Sequence, residues 1–155
     1  MIKGKKNILI ISGIFKPDIG GPSIFVNSIN QYINNSNLKS YVITLSRIEK
    51  PFIKEKNILR INRNLPKPIR TILLVYWINK FTFKSDAVLC CGLILETFIG
   101  TIFFNRKKIY RFVGDSIWER YIGSKGKGNF KEELNSFKLK ILFKIRDIIL
   151  KNFDL

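Results

Sequence analysis

The sequence predicts an α/β domain built on a Rossmann-like, three-layer parallel sheet, and two observations lead to this class. Short apolar runs, the first at residues 8–11, alternate with segments whose apolar residues recur at three- and four-residue spacing. Strands separated by helices pair in parallel through right-handed crossovers. The second observation is a pair of glycines, Gly20 and Gly21, between the first strand and the first helix.

The individual elements follow from local patterns. A strand is predicted over residues 7–13, where the unbroken apolar run indicates burial on both faces of a sheet. A helix begins at Gly21 and Pro22, since proline is favoured at the first helical position. We expect the other elements to be strands at 41–45, 58–61, 86–92 and 108–113, helices ending at 34–37 and spanning 69–83, 93–104 and 130–152, and a basic loop at 46–56.

The end of the chain has the pattern of a strand start. Asp154 follows the last predicted helix in the same way that Asp86 follows an earlier helix and introduces a buried strand. We therefore expect Asp154 and Leu155 to begin a sixth strand whose remainder is absent. On this interpretation the domain is truncated before its last strand.

The charge of the chain is strongly positive. Lys and Arg number 28 against 11 Asp and Glu, which gives a net charge of +17. Such a field attracts anions, among them phosphorylated small molecules, acidic lipid headgroups and nucleic acid. The basic residues are spread along the chain without a polybasic tail, which favours an anionic substrate or an acidic membrane surface over nucleic acid.

The composition also argues against several kinds of chemistry. Histidine is absent, so a zinc site or a Ser-His triad is not expected. Cys90 and Cys91 are adjacent at the end of an apolar run and are predicted to be small buried side chains. Neither a stretch of roughly 20 apolar residues nor a signal-peptide cleavage site is visible. These features predict a cytoplasmic protein, and its positive charge is compatible with peripheral contact at the inner face of the cell membrane.

The glycine pair fits neither common nucleotide-binding motif. A Walker loop needs a lysine directly after its last glycine, and none follows Gly20 or Gly21. A dinucleotide fingerprint needs closely spaced glycines directly behind the strand and an acid closing the second strand. Gly13 and Gly20 are too far apart, and residues 44–47 contain no acid.

Glycines follow three of the predicted strands. Ligands of parallel sheets bind outside the carboxyl ends of the strands, so we expect the glycine pair, Gly92 and Gly114-Asp115 to converge on one rim. A glycine lets a bulky ligand approach the backbone, and the amides at the start of the next helix point at anionic oxygens. The sequence therefore predicts a ligand site at this rim.

Two segments carry a resemblance to a known family. Residues 15–22, FKPDIGGP, resemble the first loop of the retaining glycosyltransferases of family 4, which have the two-domain GT-B fold. The segment from Val113-Gly114-Asp115 to Arg120 resembles a signature of the same group. The likeness covers essentially the whole chain but only the N-terminal domain of the family. It implies that residues 1–155 are the acceptor-side domain and that the C-terminal donor-binding domain is absent.

The resemblance also implies an activity and a set of site residues. The complete enzyme would transfer a hexose from a nucleotide-diphosphate sugar to a glycan or lipid-linked acceptor, without a metal or a cofactor. Gly20 and Gly21 would contact the donor diphosphate and Asp115 would be catalytic. The substrate-binding candidates are Ser23, Gly92, Trp118, Glu119 and Arg120. The isolated chain is expected to be inactive, because both halves of the cleft are needed to position donor and acceptor.

Purely structural roles remain open for the same residues. The glycine pair would serve equally in a tight turn, Asp115 as a helix cap and Trp118 in packing, while Glu119 and Arg120 would form a surface ion pair. The alternative function is a non-catalytic basic module that binds acidic membrane or nucleic acid. Residues 60–83, rich in aromatic and basic side chains, are then either core with a solvated face or an interfacial helix.

Overall fold

Six strands form one sheet in the computed structural model, which describes residues 6–111 and 137–153. The strands are β1 (Asn7–Ser12), β2 (Lys39–Ser46), β3 (Phe52–Glu55), β4 (Ile58–Asn62), β5 (Ala87–Cys90) and β6 (Lys107–Tyr110). Their order across the sheet is β3-β4-β2-β1-β5-β6. All neighbouring strands are parallel except β3, which runs antiparallel to β4 at one edge. The predicted α/β class with a Rossmann-like sheet is confirmed, and the sheet, predicted to be parallel, is parallel except for β3.

Helices cover both faces of this sheet. They are α1 (Gly21–Asn35), α2 (Lys67–Thr82), α3 (Ile94–Thr101) and α4 (Phe137–Leu150). Successive side chains of a strand point to opposite faces. On one face Ile10 of β1 packs with Val26 and Ile33 of α1. On the other face Leu9 and Ile11 pack with α2, and the layer continues through α3 to the end of α4.

One predicted loop is wrong in part. Residues 52–55, inside the segment 46–56 expected to be a basic loop, form β3. Lys56 adopts a left-handed backbone with φ of 47° and turns the chain back, so that Phe52 pairs with Ile61. The charged residues of this half-exposed edge strand conceal it in the sequence, because only Phe52 and Ile53 are apolar.

Other boundaries differ by a few residues. Strand β5 ends at Cys90, before the predicted limit of 92, and α3 spans Ile94–Thr101, within the predicted 93–104. Helix α1 ends at Asn35, inside the polar segment predicted to end it. The expected sixth strand at Asp154 and Leu155 lies outside the described residues, as does the end of the strand predicted over 108–113.

Helices α2 and α3 approach closely at Gly100. A β-carbon placed on Gly100 would lie 2.7 Å from Cγ2 of Ile78 and 3.2 Å from the carbonyl oxygen of Val75. Ile78 is completely buried between the helix and the sheet, so it has little room to move. The absence of a side chain at Gly100 therefore sets the distance between the two helices.

We predict that Gly100→Ala destabilises the fold. Overpacking of this kind costs about 1–3 kcal/mol, which exceeds the gain of up to about 1 kcal/mol that alanine has over glycine in a helix. Urea unfolding should show a lower free energy of unfolding for Gly100→Ala. Gly21→Ala is the control, since among the described residues beyond its chain neighbours and its own helix backbone no atom lies within 4 Å of a β-carbon there. Equal stability of Gly100→Ala and the wild type would contradict the prediction.

Candidate functional site

The sheet has its topological switch point at β1. From β1 the chain crosses through α1 to β2 on one side, and β5 pairs with β1 on the other side. Open parallel sheets bind their ligands outside the carboxyl ends of the strands at such a point, so the region bounded by the loops that leave β1 and β5 is the candidate crevice. The predicted glycine residues of the first loop and Gly92 both lie at this edge.

The glycine pair forms the junction of the first loop with α1. Gly20 precedes the helix with φ of 157° and ψ of 160°, and its carbonyl accepts the first helical hydrogen bond, from the Ile24 amide at 3.0 Å. A β-carbon on Gly20 would lie 3.0 Å from Cδ1 of Ile14, whereas one on Gly21 would meet no other part of the described chain within 4 Å. Gly20 therefore allows the backbone to turn close to Ile14, and Gly21 leaves space at the start of the helix.

The partial positive charge at the N-terminus of α1 is not compensated by a neighbouring side chain of the described residues. Among the described residues no side chain caps this end, and the first turn contains no acidic residue. Pro22 has no amide proton and the Ile24 amide already donates to the Gly20 carbonyl, so the first-turn amides left at this end are those of Gly21 and Ser23. Ser23 itself is buried. Uncapped amides and an uncompensated helix dipole are the features with which proteins bind anionic oxygens.

Gly92 brings the exits of β5 and β1 into backbone contact. A β-carbon on Gly92 would lie 3.1 Å from the amide nitrogen of Gly13. Next to it, the Cys91 amide donates to the carbonyl of Ile11 at 2.8 Å. The structure thus gives Gly92 a packing role beside the glycine loop and brings the two predicted segments together on one rim. Asp115, Trp118, Glu119 and Arg120 lie outside the described residues.

Two arginines that the sequence analysis missed hold the first loop. Nη2 of Arg63 lies within hydrogen-bonding distance of the Gly13 carbonyl (3.0 Å), the Asp18 carboxylate (2.7 Å) and the Leu45 carbonyl (3.3 Å). Arg60 donates from Nη1 to the Lys16 carbonyl at 2.7 Å. The sequence could have indicated Arg63, because it directly follows β4 and the end of β4 lies at the carboxyl edge of the sheet, as the first loop does.

A third arginine lies beside α1. The guanidinium carbon of Arg111 is 3.7 Å from the centre of the Phe25 ring, in a cation–π contact. Its amide donates to the carbonyl of Cys90 at 2.9 Å, which continues the pairing of β6 with β5. Nη1 of Arg111 is buried, and no hydrogen-bond partner for it lies among the described residues. The guanidinium places a positive charge on the same side of the sheet as α1.

The two cysteines are buried free thiols, as predicted. Burial raises the pKa of Cys91 from its ordinary value of 9.0 to about 12, and the neighbouring Cys90 adds to this while Arg111 opposes it. Burial also raises the pKa of Cys90, against hydrogen bonds to Thr97 and Gly92. Both side chains therefore stay protonated at neutral pH, and neither is a nucleophile.

The groups at the candidate crevice that can bind a ligand are backbone amides and guanidinium groups. Within residues 6–111 and 137–153, no group of three His, Cys, Asp or Glu side chains is arranged to hold a metal ion. Amides and guanidinium groups together suit phosphate or carboxylate oxygens. The described helices include none that is long and apolar enough to span a bilayer.

The fold and the crevice define an α/β protein with a Rossmann-like sheet and a candidate anion site at its switch point. No protein-family model matches the chain, and no curated protein matches it.

We predict that Arg63→Lys loosens the first loop. All three oxygens are contacted by Nη2 of Arg63, and the shorter lysine side chain ends before the position of this nitrogen. The free energy of unfolding should fall by about 1–2 kcal/mol, and amide hydrogen exchange should accelerate over residues 14–20. The exposed Arg47→Lys serves as control. Unchanged exchange in this loop would show that Arg63 does not hold it.

The buried Cys91 thiol should make the fold sensitive to alkali. The pKa is raised in the folded state, so its stabilising contribution is intact below the ordinary pKa of 9.0 and is lost as pH rises towards about 12. In that window the contribution falls by about 1.4 kcal/mol per pH unit. Urea unfolding between about pH 9 and pH 10 should show a steeper loss for the wild type than for Cys91→Ala. Parallel slopes would be inconsistent with a raised pKa.

Proposed function

We propose that this chain is the N-terminal, acceptor-side domain of a retaining glycosyltransferase of family 4, with the GT-B fold. The complete enzyme would move a hexose from a nucleotide-diphosphate sugar to a glycan or lipid-linked acceptor in the cytoplasm. One observation carries the proposal: the loop of residues 13–20 opens through Gly20 and Gly21 into the uncapped start of α1 at the switch point of a parallel sheet.

The chemistry of the crevice supports a diphosphate as the ligand. Glycosyl transfer from a sugar nucleotide releases a diphosphate on which negative charge develops as the sugar leaves. Donors that are already in place stabilise such charge without reorganisation. The amides of Gly21 and Ser23 and the positive end of α1 supply this at the first loop, and the guanidinium of Arg111 lies beside the same helix.

The first loop is held independently of a ligand. Arg63 contacts Gly13 and Asp18 at its two ends, and Arg60 contacts Lys16 between them. A loop fixed in this way keeps the amides of α1 in position before the ligand arrives, which reduces the entropic cost of binding. This rigidity favours a ligand site over a simple connection between strand and helix.

The remaining roles rest on the family resemblance. Asp115 would face the transferred sugar, and Trp118, Glu119 and Arg120 would contact the substrates beside Ser23 and Gly92. Most donor contacts in the family belong to the C-terminal domain. The N-terminal domain alone should therefore bind a sugar nucleotide weakly, through the phosphates of the nucleotide, and should not turn it over.

Gly21→Ala should weaken phosphate binding without unfolding the domain. Apart from its chain neighbours and its own helix backbone, the described residues put no atom within 4 Å of the added methyl, so it projects into the space at the helix start where a phosphate would approach. We expect the dissociation constant for UDP-glucose, or for the sugar nucleotide that binds best in a panel, to rise about tenfold, which corresponds to about 1.4 kcal/mol. The measurement is a titration followed through the backbone amide signals of residues 20–24 by NMR.

The matched control is Gln31→Ala, an exposed position near the other end of the same helix. Uridine, which lacks phosphates, is the control ligand and should leave the signals of Gly21 and Ser23 unchanged. If no nucleotide sugar shifts these amides in the wild-type chain, the proposed diphosphate site is wrong.

A further inference from the structure

The layer formed by α2 and α3 has an apolar outer surface. In α2, Leu74 and Ile78 face the sheet, and half a helical turn away Ile69, Ile72 and Tyr76 are exposed. In α3 the buried side is formed by Thr97, Gly100 and Thr101, and the exposed apolar residues are Leu95, Ile99, Ile102 and the following Phe103. Since Gly100 brings the two helices together, these outer sides lie next to each other.

The most exposed aromatic residues of this layer lie where the two helices end. Phe83 directly follows α2 and is 70% exposed, and Phe103 shortly after α3 is 88% exposed. The ring of Phe104 contacts the ring of Phe83 with centroids 6.5 Å apart, so the ends of the two helices are joined. Phe83 and Phe103 thus expose large apolar side chains at the neighbouring ends of the two helices, and Ile99 and Ile102 are exposed close to the end of α3.

Basic side chains follow the same edge of the sheet. Parallel strands begin at one edge, and α2 and α3 return the chain to it. Exposed basic residues stand at or just before the starts of β1, β2, β5 and β6: Lys6, Lys39, Lys84, Arg106 and Lys107. Two acids lie at this edge: the Asn7 amide donates to the Asp86 carboxylate at 2.7 Å, and the Glu55 carboxylate pairs with Arg60 at 3.2 Å. We call Phe83, Phe103 and these five basic residues the amino-edge surface.

We propose that the amino-edge surface docks on an anionic lipid bilayer, with Phe83 and Phe103 inserted between the headgroups. Exposed aromatic and aliphatic side chains enter the boundary between headgroups and acyl chains, and surrounding Lys and Arg pair with acidic headgroups. Exposed Lys80 adds a further basic side chain on α2 next to an aromatic ring. Its ammonium lies 4.9 Å from the centre of the Trp77 ring. The surface carries both the apolar and the cationic components that binding to such a bilayer requires.

Other occupants fit these residues less well. A second copy of the chain would bring its own charge of +17 against the same basic row. Single-stranded nucleic acid would stack on the phenylalanines, but it offers nothing to bury the aliphatic Leu95, Ile99 and Ile102 beside them. Acidic lipid satisfies both parts of the surface at once.

The proposed orientation leaves the candidate site accessible. The crevice lies at the carboxyl edge of the sheet, and the amino-edge surface lies at the opposite edge. Docking therefore does not cover Gly20 and Gly21. The inference does not depend on the proposed glycosyltransferase function, since it rests on exposed residues outside the crevice.

The test is co-sedimentation of the full chain with vesicles of equimolar phosphatidylglycerol and phosphatidylcholine, compared with pure phosphatidylcholine. Removing both inserted rings, in Phe83→Ser with Phe103→Ser, should lower the partition coefficient at least about tenfold. The matched control is Tyr32→Ser, whose side chain is 75% exposed on α1, on the other face of the sheet. Circular dichroism and thermal melting check that each variant is folded.

A second pair of variants separates local charge from net charge. Arg106→Gln with Lys107→Gln should lower binding by about fivefold per charge. Lys16→Gln with Lys50→Gln removes the same charge from exposed positions near the carboxyl edge and should change binding much less. The proposal is overturned if both charge pairs behave alike, if the phenylalanine variant binds like the wild type, or if the chain binds single-stranded RNA through these residues but not the vesicles.

Discussion

Strand β1 is buried on both faces and paired along both edges, and the rest of the molecule is arranged around this constraint. Leu9, Ile10 and Ile11 are completely inaccessible to solvent, and β1 pairs with β2 on one side and β5 on the other. Because alternate side chains face opposite layers, both faces need a helical cover, which α1 supplies on one face and α2 with α3 on the other. The same central position makes the end of β1 the switch point of the sheet.

A small number of polar contacts position the loops of the crevice relative to β1. The loop that leaves β1 is held by the arginines at and after the end of β4, and Gly92 allows the β5 exit to lie against the backbone at Gly13. Burial of apolar surface makes the scaffold, while directional hydrogen bonds to carbonyl groups place the loop on it. Anion-binding amides need such support, because a mobile loop would lose much of its binding free energy in becoming ordered.

The two edges of the sheet differ in chemistry. The carboxyl edge presents glycines, amides and partly buried guanidinium groups, a combination suited to a small anion in a crevice. The amino edge presents exposed phenylalanines and lysines, a combination suited to an extended acidic surface. Since strand direction separates the two edges, the proposed ligand site and the proposed lipid-docking surface do not overlap.

The sequence by itself determined the α/β class, the position of β1 and the glycine junction with α1, because these depend on local periodicity and on the backbone freedom of neighbouring residues. It also indicated the burial of Cys90 and Cys91, which lie in an apolar run. It did not reveal β3, whose four residues are half exposed and are ordered by pairing with β4. Only the tertiary structure decided that Arg63 holds Asp18, that Arg111 stacks on Phe25 and that α2 and α3 approach closely at Gly100. These contacts join residues far apart in the chain, and no local spacing encodes which side chains the sheet brings together.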